Sequence, residues 1–296
     1  MKFSHKVVAT SSAILLAALA LLSANQYFNT KSQIQSLVMQ SIDEIVSGMG
    51  NTVNAEISSR KALASYATSL IEQDLALDNI QTVINQPIIK NAFLLTGLGF
   101  EKDGSYTSND PSWDPGSSWN PRARPWYIDA KQARELIITA PYADSATKEI
   151  LVSIATPVFA HGEFTGAIFF DVSLGGLAEL VNQVSLFDAG YLFIVAGDGT
   201  VIAHPEEKYN GKPMSEFLGN QTLSSEMVTT ELDGRAVKLS FTQVEGQNWY
   251  IGTVLDESLA FAAVDKLKTD SIIYSVVALF AGIIALLLLI KILMRP

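Results

Sequence analysis

The chain has 296 residues, a formal net charge of -10 and no cysteine. That composition excludes disulfides and thiolate chemistry, and its acidic balance offers no basic face for nucleic acid. His5, His161 and His204 stand in no metal-ligand spacing, and neither a Gly-x-Ser-x-Gly elbow nor a phosphate loop occurs. An enzyme, a cofactor or a metal centre is therefore not expected.

Residues 1–6 are short and basic, and residues 7–24 then run without a charge. Such a run is long enough to cross a bilayer. A cleaved signal peptide is the rival reading, because Ser23 and Ala24 are small. The helical pattern continues directly beyond, which favours a retained anchor. Across residues 25–75 apolar side chains recur every three or four positions: Ile34, Val38, Ile42, Ile45, Met49, Val53 and Ile57, then Ala64, Ala67, Ile71 and Leu75. Fifty residues of helix extend about 75 Å, more than one small domain can cover, so a second copy of the chain is expected alongside. Gly48 and Gly50 mark the place for a bend.

Beyond it, residues 78–86 read as a short helix ended by Pro87, and residues 92–100 as a strand before the Lys102-Asp103-Gly104-Ser105 turn. Residues 110–121 are rich in Pro, Gly, Ser, Asp and Trp and read as a loop. A helix from Pro125 to about Arg134 follows. Strands at 135–140, 149–159 and 163–172 then form an antiparallel meander. Residues 175–186 bridge to a smaller unit, whose Gly197-Asp198-Gly199-Thr200 turn repeats the earlier strand–Asp-Gly–strand pattern. Asp198 allows a calcium reading and a plain turn reading. Strands at 235–244 and 249–255 form a further hairpin, and residues 256–270 read as a helix feeding a second apolar run at 271–290. The pattern is α+β.

The chemistry concentrates between Trp119 and Asp171. Trp119-Asn120-Pro121-Arg122-Ala123-Arg124-Pro125-Trp126-Tyr127 is followed by Tyr142, Asp144 and Asp171. A guanidinium fork can pair with both oxygens of a carboxylate. Pro125 suits the first turn of a helix, placing Arg124 at its cap, where the N–H groups of Trp126 and Tyr127 can also face an anion. Asp144 and Asp171 supply the opposite charge for an ammonium. Strand alternation puts Asp171 on the same face as Phe169, at the end of an apolar run where a carboxylate is costly to bury without a partner. The plainer reading is a helix start with a stacked core tryptophan and a surface aspartate.

These residues resemble the amino-acid-binding motif of double-Cache (dCache) sensor regions of bacterial chemoreceptors. In that family a Tyr, an Arg and a Trp hold the ligand carboxylate, and a further Tyr with two Asp holds the amino group. The resemblance assigns these roles to Arg124, Trp126, Tyr127, Asp144 and Asp171, with Tyr142 where the family often has a Tyr. Trp119 stands where the motif expects Tyr, and an indole donates but cannot accept. The ligand class implied is an amino acid or related amine.

The resemblance implies two PAS-like (Cache) modules with antiparallel sheets on the long N-terminal helix, flanked by two transmembrane helices. The expected division is a cytoplasmic start at 1–6, a first span at 7–24 and a periplasmic helix at 25–75. A membrane-distal, ligand-binding module at 76–174 and a membrane-proximal module at 175–257 follow, then a connecting helix at 258–270 and a second span at 271–290. Basic residues at both ends place them in the cytoplasm, so residues 25–270 are expected in the periplasm of an inner-membrane protein. Residues 291–296, ending Arg295-Pro296, resemble the start of a HAMP linker. The expected partners are a small-molecule ligand, the membrane, a second copy of the chain and cytoplasmic signalling proteins reached through a further C-terminal part. A histidine kinase, a cyclic-dinucleotide enzyme, or a membrane-anchored adhesion or scaffold protein remain alternative settings.

Overall fold

The computed structural model describes residues 3–184, 186 and 188–293. Helix α1 (Phe3–Gln73) runs unbroken for 71 residues, about 107 Å at the standard rise. Gly48 and Gly50 do not interrupt it. Gly50 instead lies over Ile251, whose side chain an added Cβ would meet at 3.7 Å. Val46, Met49, Val53, Ile57, Ala64, Ala67 and Ile71 are buried at helical spacing. Much of the expected stripe is thus absorbed by the chain's own core.

Helix α2 (Leu77–Ile84) follows, and Pro87 opens α3 (Pro87–Ala92) where the sequence had suggested only an end. The missing N–H of proline costs nothing in a first turn, so it can start a helix as well as stop one. Strands β1 (Leu95–Phe100) and β2 (Tyr106–Ser108) precede a 3-10 turn at Pro121–Ala123 and helix α4 (Pro125–Ala133). Arg124 is the N-cap of α4, and Arg134 closes it with φ 58°. Strands β3 (Ile137–Ile138), β4 (Tyr142–Ala143), β5 (Ile150–Ala160) and β6 (Glu163–Ser173) complete a first antiparallel sheet in the order β2-β1-β6-β5-β3, with β4 also on β5.

Helix α5 (Leu174–Asn182) leads to β7 (Gly190–Ala196), β8 (Val201–Ala203), α6 (Ser215–Leu218), β9 (Val228–Leu232), β10 (Arg235–Gln243) and β11 (Trp249–Asp256). Their order is β8-β7-β11-β10-β9. With β3 and β4, which both pair with β5, counted as one position, the two paths are the same, so the repeat suggested by the two Asp-Gly turns extends to topology. Both turns are also closed alike: Ser105 N–H donates to Asp103 and Thr200 N–H to Asp198, each at 2.9 Å, while Gly104 and Gly199 take φ 75° and 86°. Asp198 is therefore engaged as a turn former.

The first sheet packs Leu95, Ala155, Ala167 and Phe169 under Trp126, Tyr127 and Ala130 of α4. The second packs Phe193, Val195, Val237, Leu239, Phe241 and Val254 beneath Met214 and Leu218. Both sheets fall in one compact unit, Ile45–Leu186 with Gly190–Leu255. The other unit holds the start of α1 with α7 (Glu257–Ala260) and α8 (Ala262–Leu293), where Ser23 and Ser275 share a hydrogen bond. Among the described residues one helix, α1 from Thr10 onward, is long and apolar enough to cross a membrane. Ile272–Ala285 within α8 is a shorter apolar stretch. Met1, Lys2, Arg295 and Pro296, which carried parts of the basic start and the HAMP resemblance, lie outside the described residues.

Candidate functional site

The site is built on the β5–β6 hairpin. Near its tip Phe159 pairs with Phe164, but Val158 pairs with Gly166, so Thr165 is an extra residue and the register shifts by one. This β-bulge brings Ser153, not Val152, opposite Asp171. The two side chains then share a face, and Ser153 Oγ donates to Asp171 Oδ1 at 2.5 Å. On the other flank Asp171 pairs with Leu95 of β1, and its carbonyl accepts from Leu94 N–H at 2.8 Å.

Strand β4 sets Tyr142 beside Leu151. The Tyr142 hydroxyl lies 2.5 Å from Ser153 Oγ and 3.4 Å from Asp171 Oδ1. The chain then turns tightly, closed by Asp144 N–H to Glu149 O at 2.8 Å. Asp144 Oδ1 accepts from Ala146 N at 2.9 Å, Thr147 N at 2.7 Å and Thr147 Oγ1 at 3.0 Å. Its Oδ2 accepts from the Trp113 indole at 3.2 Å, and Trp119 Nε1 donates to Ser145 Oγ in the same turn at 2.9 Å. Arg124 reaches this turn from the cap of α4, donating through Nη2 to Ala143 O at 2.9 Å, with its guanidinium 5.3 Å from the centre of the Tyr142 ring.

Trp119, Arg124, Tyr142, Asp144 and Asp171 are therefore brought together. Trp126 is a wall residue, buried with its ring 4.7 Å from Phe169. Close approach there depends on Gly99, where a Cβ would stand 3.1 Å from the Trp126 ring. Tyr127 is buried, and its hydroxyl donates to Glu101 at 2.7 Å, where Lys131 also pairs at 2.6 Å. Its N–H donates to Arg124 O at 3.1 Å, so neither group faces the Asp144–Asp171 cluster. Trp113 and Ser153 belong to the cluster although the sequence reading passed over both.

The two aspartates differ in charge. Burial, helped by the Asp144 charge, pushes the Asp171 carboxyl up to about 8 against the opposing hydrogen bonds from Ser153 and Tyr142. Burial also pushes Asp144 up, but the Thr147, Ala146 and Trp113 donors outweigh it and hold that carboxyl below its ordinary value. Near neutral pH the cluster thus holds one cation, one anion and one neutral acid ready to lose a proton. In the second sheet the position paired with the start of the first strand is Leu255, on Gly190, where the first sheet has Asp171 on Leu95.

Two like-ordered antiparallel sheets on one long N-terminal helix, the first carrying this cluster, define a Cache-type sensor domain. The chain belongs to the Cache-domain family, whose model matches residues 25–264. Among relatives, the methyl-accepting chemotaxis protein PctB of Pseudomonas aeruginosa is 30% identical over all of this chain and 48% of its own length. McpA of Pseudomonas putida, also a methyl-accepting chemotaxis protein, is 30% identical over all of this chain and 47% of its own length. The chain thus spans about half the length of these relatives. The solved ligand-binding domain of Mlp24 with asparagine is 46% identical, with a TM-score of 0.70, covering 79% of this chain and 98% of that one. The ligand-binding domain of PctB with L-Arg is 30% identical, with a TM-score of 0.70 over 75% and 97% of the two chains. That of CtaA from Pseudomonas fluorescens with L-isoleucine is 26% identical, with a TM-score of 0.71 over 80% and 99%.

Proposed function

We propose that the chain is the sensory region of a bacterial methyl-accepting chemotaxis receptor that binds an α-amino acid or related amine. The observation that carries this reading is that Arg124, over the Tyr142 ring, shares one cluster with Asp171, which the Tyr142 hydroxyl approaches, and with Asp144 of the following turn. A zwitterion needs a cation for its carboxylate and carboxylates for its ammonium, and these groups share one cluster. The relatives solved with asparagine, L-Arg and L-isoleucine support the same ligand class.

In this reading Arg124 takes the ligand carboxylate beside Trp126 and Trp119. Asp144 and Asp171 take the ammonium with Tyr142, and Tyr127 supports the start of α4 through Glu101. Residues 76–174 form the binding module and 175–257 the transmitting one, in the periplasm. Two copies of the chain sit in the inner membrane, with a second span at 271–290 and an output part beyond it. Binding biases one of two arrangements of the binding module, and the difference in ligand affinity between them is the energy available for signalling.

Isothermal titration against free, N-acetylated and amidated forms of each amino acid tests the reading. Leaving one buried charge unpaired costs about 2–5 kcal/mol, roughly 30-fold to several-thousand-fold in affinity. Arg124→Ala should therefore abolish binding, and both blocked ligands should fail. Equal binding of the N-acetyl form would remove the aspartates from the ligand and refute the proposal.

A further inference from the structure

Tyr142, Ser153 and Asp171 form a line of two hydroxyls and a carboxyl leading into the sheet. Ser153 is fully buried, and its hydroxyl stands 2.5 Å from both neighbours. Its backbone is fixed on both sides by Thr139, whose Oγ1 accepts from Ser153 N at 2.9 Å and whose N–H donates to Ser153 O at 3.0 Å. A buried hydroxyl so held can only turn its proton toward one neighbour and its lone pairs toward the other. We infer that Ser153 is a positioning residue of the amino-acid site, whose hydroxyl holds the Asp171 carboxylate for the ligand ammonium and couples it to Tyr142.

This role rests on the amino-acid reading above. With Asp171 ionised, Ser153 donates to it and Tyr142 donates to Ser153, so both hydroxyls favour the anion. With Asp171 protonated, the acid can donate to Ser153, and the line reverses toward Tyr142, beside the Arg124 guanidinium. The charged and titratable groups facing Asp171 are Tyr142 of β4, Asp144 of the following turn and Arg124 at the cap of α4. From β1 its partner is the apolar Leu95. Ser153 is therefore the β5 link between the ammonium side and the carboxylate side.

Two measurements on the full chain in detergent test this. The first is the infrared carbonyl stretch of the protonated Asp171 carboxyl, identified by its loss in Asp171→Asn and titrated without amino acid. In Ser153→Ala its midpoint should move upward, because the anion has lost a donor. The second counts protons released per amino acid bound at pH 8, by titration calorimetry in two buffers. Wild type, half-ionised there, should release about half a proton. Ser153→Ala should release close to one, with affinity lower by about 10- to 100-fold. Ser153→Thr keeps the hydroxyl and should restore the wild-type count. If Ser153→Ala does not fold, Tyr142→Phe should move the midpoint in the same direction by less. An unchanged midpoint and proton count in a folded variant overturns the positioning role, since a merely structural change would lower affinity without moving either. A shifted midpoint in a chain that binds no amino acid refutes the amino-acid reading instead, and leaves Ser153 as the group that sets the charge of Asp171.

Discussion

Replacing Asp171 with asparagine should flatten the pH dependence of fold stability between pH 5 and 7.5. Burial holds this carboxyl near 8 against an ordinary value of 3.8, so the folded chain keeps a proton that the unfolded chain has already released. For an acid whose folded pKa is raised, stability is complete below the unfolded value and is lost as pH rises through the folded one. The window spans about four pH units, and within it each unit removes about 1.4 kcal/mol. For a unit of this size that is about 3–6 °C in Tm per pH unit. Asparagine has nearly the same volume and still offers Ser153 a carbonyl oxygen, but it has no proton to lose. Thermal unfolding of wild type and Asp171→Asn, followed by tryptophan fluorescence without amino acid, should show a falling wild-type Tm and a flatter variant. Parallel slopes would refute the burial of Asp171 as an acid, because an ionised and paired carboxyl would titrate below 3.8 and add no slope between pH 5 and 7.5.

Amino-acid affinity should rise by up to about tenfold per pH unit from pH 6 to 8 as the Asp171 proton becomes easier to displace; calorimetry across that range checks it, and a flat profile counts against an ammonium on Asp171. Trp119→Phe removes one hydrogen bond, to Ser145, and should cost about 0.5–1.5 kcal/mol of stability while discrimination against N-acetyl ligands persists. Gly97→Ala places a Cβ 2.7 Å from both the Phe169 ring and Thr107 O, so denaturation should show a loss of about 1–3 kcal/mol. Deleting Thr165 removes the extra residue but leaves Val158 on Gly166 and Ser153 on Asp171, so calorimetry should show amino-acid binding retained. Loss of binding in a folded chain would mean that the bulge itself shapes the site. Cysteine at Leu37, 62% exposed, should cross-link two copies in membranes, whereas cysteine at the buried Met49 should not.

The parts legible in the sequence were those fixed by local pattern. The 3.6-residue period exposed the long helix, although tertiary packing carried it straight through Gly48 and Gly50. Pro125 announced α4 and its Arg124 cap because a first turn tolerates proline, and the same property made Pro87 ambiguous. Strand β9 was missed because Val228–Leu232 is a mostly polar edge with little buried surface. The Arg124, Tyr142, Asp144 and Asp171 cluster was visible as residue types at a spacing. Ser153 was not, because its place beside Asp171 depends on a one-residue register shift that no alternation pattern records. Trp113 was hidden for another reason: it lies in an irregular loop, where its contact with Asp144 follows from the loop's path rather than from any period.

The shared strand order of the two sheets has a practical use. It supplies, within one polypeptide, a reference frame for the other: the same path of strands, with Asp171 at the end of one and Leu255 at the matching end of its counterpart. Heat, denaturant and ionic strength act on both frames alike. Any response found in the first sheet and missing from the second must then come from side chains and not from the architecture. Hydrogen exchange compared strand by strand, β6 against β11 and β5 against β10, would separate the two contributions in a single sample, with each sheet serving as the control for its sibling.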